Sequence, residues 1–128
     1  MAEVIDGRRV IQASEIMDKI QKGEPVECKS VIIEGALDIR KLDLPIQHIE
    51  RTETQKQVGL SEDVRVVKSS IRIIDSVIHG GLNFSDSIFS DKSDFTRAMF
   101  SGDANFNGTS FGEHALFYNE LVFYSINS

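Results

Sequence analysis

Three histidines, one cysteine and a scatter of aspartates are the residues of this chain with chemistry to offer. His48, His79 and His114 lie far apart and share no metal-ligand spacing, so each reads as a surface histidine. Asp75, Asp86, Asp91, Asp94 and Asp103 fall close enough together for two of them to pair as general acid and base. Such a pair needs a long groove walled by loops. Solvent-facing acids that keep a β-rich surface soluble are the simpler reading. Cys28 is the only cysteine, which excludes an intramolecular disulfide. It reads as a small buried hydrophobe, because a reactive thiol needs an exposed, electropositive setting. No nucleophile elbow, phosphate-binding loop or dinucleotide fingerprint is present. The expectation is no catalytic, cofactor-binding or metal-ligating residue, no cofactor, and a protein that is not an enzyme.

The element that must position any of these groups runs from residue 67 to 123. Its large apolar residues return with a fixed rhythm: Ile73, Ile78, Phe84, Phe89, Phe95, Phe100, Phe106, Phe111 and Phe117 alternate steps of five and six. A helix repeats near 3.6 residues and a half-buried strand near 2, and neither period fits. Two steps make 11, and Asn83, Asp94 and Asn105, each just before a Phe, obey that period as well. Small residues stand two before most anchors, among them Ser76, Ser87, Ser93, Ala98 and Ala104. A long inward side chain beside a short one suits a narrow packed interior. The rhythm is that of a solenoid, whose units bury their apolar side only by stacking on one another.

These residues resemble the pentapeptide-repeat family, whose unit is Ala, then Asp or Asn, then Leu or Phe, then two freer polar residues. Ala104-Asn105-Phe106-Asn107-Gly108 carries the match best, with Ser93-Asp94-Phe95-Thr96-Arg97 and Ala98-Met99-Phe100-Ser101-Gly102 as degenerate units. The resemblance implies a right-handed, four-sided parallel β-helix with the Phe and the small residue pointing inward. The extra residue in alternate units departs from the family pattern. Stacking gives an independent count of sides. Coils sit about 4.8 Å apart, and sides of equal length must lie over each other. Four sides of five, six, five and six residues repeat in register every 22 residues; three sides would set a five over a six. The expected fold is an all-β solenoid of about three to four coils, with Phe84 under Phe106 and Phe89 under Phe111.

The remaining chain arranges itself around that stretch as one domain. Residues 1–25 read as an N-terminal cap, with Val10-Ile11 as an edge strand. A short amphipathic helix over 14–22 follows, with Ser14 as N-cap and Gly23 and Pro25 as its stop. Residues 26–44 repeat the rhythm faintly through Cys28, Ile33, Ile39 and Leu44, and read as the first coil. Residues 45–65, PIQHIERTETQKQVGLSEDVR, break it and read as a tolerated insertion, a loop or an excursion with one strand at the solenoid's side. The main repeats fill 66–123 and 124–128 is a tail.

A net charge of −6 argues against nucleic acid or an anionic membrane as a direct partner. The start has no apolar signal region and no run approaches membrane-spanning length, so the expected location is cytoplasmic. The expected function is a non-enzymatic structural or protein-interaction module, its protein partner unknown. The family resemblance supplies an alternative, since some of its members are acidic rods that mimic DNA and bind DNA-handling enzymes such as gyrase. A second alternative is the front part of a longer solenoid. The C-terminal end has no cap in the sequence, but is rich in aromatics. Tyr118, Phe123 and Tyr124 are therefore the expected interface of a homodimer formed through that end.

Overall fold

A computed structural model of the 128-residue chain describes the backbone of residues 4–5, 7–111, 115–116 and 122–127, and the side chains of residues 7–111. In chain order the elements begin with β1 (Val4–Ile5), β2 (Arg8–Gln12), α1 (Ala13–Lys22), β3 (Val26–Lys29), β4 (Val31–Glu34) and β5 (Leu37–Asp38). A 3-10 turn at Ile39–Lys41 leads to β6 (Ile46–His48), α2 (Glu53–Gln57) and β7 (Asp63–Val67). Then follow β8 (Ile71–Ile74), β9 (Val77–Ile78), β10 (Leu82–Asn83), β11 (Ser87–Phe89), β12 (Ser93–Asp94) and β13 (Met99–Asn105). The last are β14 (Ser110–Phe111), β15 (Ala115–Leu116) and β16 (Val122–Asn127).

The strands form three sheets, all parallel except where β1 meets β2 and β6 meets β7. One sheet runs β1-β2-β4-β9-β13-β10-β5 with β16 also on β13; the second is β14-β11-β7-β6 and the third β15-β12-β8-β3. Register explains the rhythm. Ile71 pairs with Ser93, Val77 with Met99, Leu82 with Ala104 and Ile88 with Ser110, an offset of 22 residues each time. Val31 sits 22 beyond its partner Arg9. Across the excursion the offset widens to 45, as Val26 pairs with Ile71 and Ile32 with Val77. The protein is thus mostly β with parallel sheets, an arrangement compatible with a β-solenoid.

The anchors of the rhythm fill the interior. Ile73, Ile78, Phe84, Phe89, Phe95 and Phe100 are buried, while Phe106 and Phe111 are half-buried and pack on them; Phe117 lies outside the described residues. Phe89 and Phe111 stack with centroids 5.2 Å apart and planes 18° from parallel. Phe84 and Phe106 meet edge to face at 6.0 Å. Beside them the short residues Ser76, Ser87, Ser93, Ala98 and Ala104 leave room for the rings and are themselves buried. Ser76 and Ser87 donate their hydroxyls to backbone carbonyls, whereas Ser93 Oγ finds no hydrogen-bond partner among the described residues. A buried, unpaired hydroxyl costs desolvation without return. Ser93→Ala is therefore expected to keep or raise stability, by up to about 1 kcal/mol, readable as an unchanged or higher melting temperature.

The polar period of 11 has a local cause. Asn83, Asp94 and Asn105 each accept the N–H two residues on, at 3.0, 3.0 and 2.9 Å. Asp38 does the same with Arg40 at 3.0 Å. These side-chain turns bend the chain just after each short strand. At other bends Ser30, Asp75 and Arg97 take left-handed backbone angles, φ 55°, 49° and 53°, at positions 45 and then 22 residues apart.

Helix α1 covers the start of the sheets by burying Ala13, Ile16 and Ile20 in the common core. Its N-cap is Gln12, not Ser14. The Glu15 carboxylate accepts the Gln12 N–H at 3.3 Å, an acidic side chain doing at the third helical position what a hydroxyl at Ser14 was expected to do. Gly23, at φ 73°, closes the helix through its N–H to the Ile20 carbonyl.

The excursion carries one strand and one short helix. Its β6 runs antiparallel along β7, and β7 begins at Asp63, earlier than the expected return at Val66. Helix α2 is short and capped reciprocally by Thr52 and Gln55, at 3.1 and 2.9 Å.

Candidate interaction surface

The groups with possible chemistry are dispersed. His48 Nδ1 meets Asp63 at 3.1 Å and His79 Nδ1 meets Glu34 at 3.0 Å, both in the open; His114 lies outside the described residues. Among the described residues no cluster of three His, Cys, Asp or Glu could hold a metal ion. Asp75 is tied to Arg8 at 3.5 Å, to Arg97 at 4.0 Å and to the Ser30 hydroxyl at 3.0 Å. Arg8 also donates to the Asp75 carbonyl. Asp86 faces Arg51, and Asp94 is consumed by its own turn. Asp91 accepts the adjacent Lys92 N–H at 2.7 Å, and Asp103 is exposed. None of these carboxylates is paired with another.

Cys28 is half-buried, and burial pushes its thiol above the usual range even with Lys19 and Arg9 nearby. It borders a shallow cavity of about 230 Å³ whose other charged walls include Glu15 and Glu27. A thiol held protonated is a poor nucleophile and a poor ligand.

Among the described residues the most enclosed carboxylate is Asp38, held bidentate by Arg40 at 2.9 and 2.7 Å. The Arg40 hydrogen bonds outweigh the opposing effect of burial and hold the Asp38 carboxyl below its usual range. A lowered folded value means that the pair's contribution is complete above the ordinary carboxylate pKa. It is lost as pH falls through the lower folded one. Asp38→Asn is expected to lower stability most at neutral pH and to converge on the wild type well below about pH 4, which flattens the acid limb, as followed by denaturant melts at stepped pH.

One aliphatic row, buried over most of its length, reaches the surface at Met99. Val10, Ile32, Val77 and Met99 stand at matching register positions on neighbouring strands, each next in sequence to an inward anchor. The row opens along its length: Val10 is 8% exposed and Ile32 7%, Val77 is half-buried, and Met99 is 40% exposed. Val122 of β16 pairs with Met99 at the next position. Of the expected interface residues, Tyr118 lies outside the described residues. Phe123 and Tyr124 are described only as backbone in β16, where Phe123 pairs with Phe100. The far edges of β14, β15 and β16 have no strand partner among the described residues.

One residue of consequence escaped the sequence reading. Arg51, in the excursion, has a side chain only 6% exposed. It donates to the Ser61 and Gly108 carbonyls at 3.0 Å each and reaches Asp86 at 3.5 Å. No spacing announces it. The Thr52-Glu53-Thr54-Gln55 capping pattern beside it was the only local signal of order.

Fold and surface together describe a β-rich protein of parallel sheets whose ionic groups hold its bends. Among the described residues no helix is long and apolar enough to cross a membrane. Comparison with protein-family models finds no match, and comparisons with curated proteins and with solved structures find none either.

Proposed function

We propose that the chain is a short, right-handed, four-sided β-helix of pentapeptide-repeat type that serves as a non-enzymatic protein-interaction module in the cytoplasm. The observation that carries the interaction reading is the aliphatic row that emerges at the exposed Met99, flanked by ionic groups already spent on the fold. An apolar row that opens toward one end favours contact with another protein surface. The four-sided reading draws support from the strand itinerary. Successive strands β8, β9, β10 and β11 enter four different pairing positions, and β12 returns to pair with β8. The paired state of Asp38, Asp75 and Asp86 counts against a DNA-mimicking rod, which needs its acids free for a basic partner.

The same reading includes a homodimer through the C-terminal end, supported by the far edge of β16, which has no strand partner among the described residues, and by the aromatic sequence around it. Light scattering on wild type, Met99→Asp and Phe123→Asp tests both surfaces. Dimer lost with Phe123→Asp supports the end. A protein partner retained by wild type and lost by Met99→Asp at unchanged melting temperature supports the row. A wild type monomeric at high micromolar concentration removes the dimer, and a partner bound as well by Met99→Asp as by wild type removes the row.

A further inference from the structure

We propose that residues 45–62 are a displaceable strap that masks the edge of β7, and that the unmasked edge takes up an extended strand of a partner protein with an arginine three residues beyond its paired segment. The inference rests on reading the chain as an interaction module and says where and how a partner strand binds.

The strap is attached by little. All three residues of β6 are exposed, α2 buries none, and no residue from 45 to 63 is buried as a whole. Ile46 is 60% exposed and Val58 71%. A segment with so little apolar burial opens at a small fraction of the cost of global unfolding. Beyond the short ladder of Ile46, Gln47 and His48 on Arg65, Val64 and Asp63, it is held by the buried Arg51, by the Ser61 N–H on Asp86 and by the exposed His48–Asp63 pair.

Part of the seat of Arg51 belongs to the repeats, namely the Asp86 carboxylate and the Gly108 carbonyl, while the Ser61 carbonyl belongs to the strap itself. Asp86 stands at a bend with φ 47°, and its Oδ1 also accepts the Ser61 N–H at 3.2 Å. One register further on is Gly108, where a Cβ would come 2.5 Å from Asp86 Oδ1 and 2.9 Å from Arg51 Nη2. The missing side chain is what leaves space for the guanidinium. The repeats thus present a preformed recess for an arginine, with a carboxylate and a carbonyl in place.

The edge beneath the strap is ready for pairing. Val64 and Val67 are fully buried, so β7 stays with the core when the strap leaves. The Val66 N–H, now bonded to the Pro45 carbonyl at 2.8 Å, then faces outward. On β8, β9 and β10 the equivalent edge is held by the parallel strands β3, β4 and β5. On β7 alone among these it is held by a three-residue strand running the other way. Strand addition at such an edge gives affinity through the main chain, and the arginine recess gives selection.

Hydrogen exchange on wild type and Arg51→Ala, with a synthetic peptide of residues 45–52 as probe, tests this. In the variant the Val66 amide is expected to exchange roughly tenfold to a hundredfold faster, while the Ile71 and Phe84 amides keep their protection. The peptide should bind the variant and restore protection at Val66, and a peptide with alanine for its arginine should bind at least about tenfold more weakly. An unchanged Val66 rate overturns the strap. So does joint loss of protection at Ile71 and Phe84, which would make the segment part of the core. Failure of the peptide to bind an opened edge overturns the strand-addition site. Both readouts need no natural partner, so they can fail while the interaction module itself stands.

Discussion

A Phe84→Ala protein melts far below the wild type, having lost about 3–5 kcal/mol of the 5–15 typical of a domain. Phe84 is fully buried, with Phe89 at 5.2 Å and Phe106 at 6.0 Å between ring centroids. Its backbone is also a junction: the N–H donates to Asn105, and the carbonyl accepts the hydroxyls of Ser87 and Thr109. The hole left by the ring cannot collapse, because strands on either side fix the walls. Phe106→Ala removes a ring that is only half-buried and costs less; Asn107→Ala, outside the core, costs least. Calorimetric melts of the three variants should fall in that order. Equal melting for Phe84→Ala and Asn107→Ala would mean that the apolar register is misassigned.

Adding one methyl group at Gly80 is expected to be almost as damaging. A Cβ there would lie 2.1 Å from the Gly35 carbonyl oxygen, and one at Gly102 would lie 2.9 Å from that of Gly80. The three glycines form a column in which backbone rests directly on backbone. Neither partner is a side chain able to turn aside, so strands must move apart and break pairing. Gly80→Ala should cost about 3 kcal/mol or more, the upper range for overpacking. Gly81→Ala is the matched control, since its Cβ would sit 3.8 Å from the nearest atom, the Asp103 carbonyl oxygen. Urea midpoints that coincide for the two variants would contradict the close column.

The repeat was legible because its cause is local and recurs. A buried ring every five or six residues, a small neighbour two positions earlier and an Asx turn before the ring are each written in residue type. Repetition lifts them above chance. The excursion was not legible for the opposite reason. Arg51 meets Asp86 and Gly108 at sequence separations of 35 and 57, and a pairing made once leaves no period. The Gly35, Gly80 and Gly102 column was not legible, because the contact of Gly35 with Gly80 depends on the 45-residue offset that the excursion creates. Gln12 displaced Ser14 as helix cap because the chain arrives from β2, whose pairing with β4 fixes Gln12 in extended geometry next to the helix.

The 22-residue register sets a unit of currency for changes in chain length. Excising Ser76 to Arg97 would join Asp75 to Ala98 and hand β8 on to β13, with the anchors Ile73 and Phe100 still pointing inward. Excising one residue fewer would lay a six-residue side over a five-residue side, so the backbone pairing between layers would have to bulge or slip at that level. Such a protein should therefore accept deletions and duplications as whole layers and reject those one residue off. Circular dichroism of the 22- and 21-residue deletions would display that difference, with β structure kept in the first and reduced in the second. Lengthening by slippage within the repeats is then quantised, whereas the excursion, which lies between register-bearing strands and is not part of them, is free to vary by single residues.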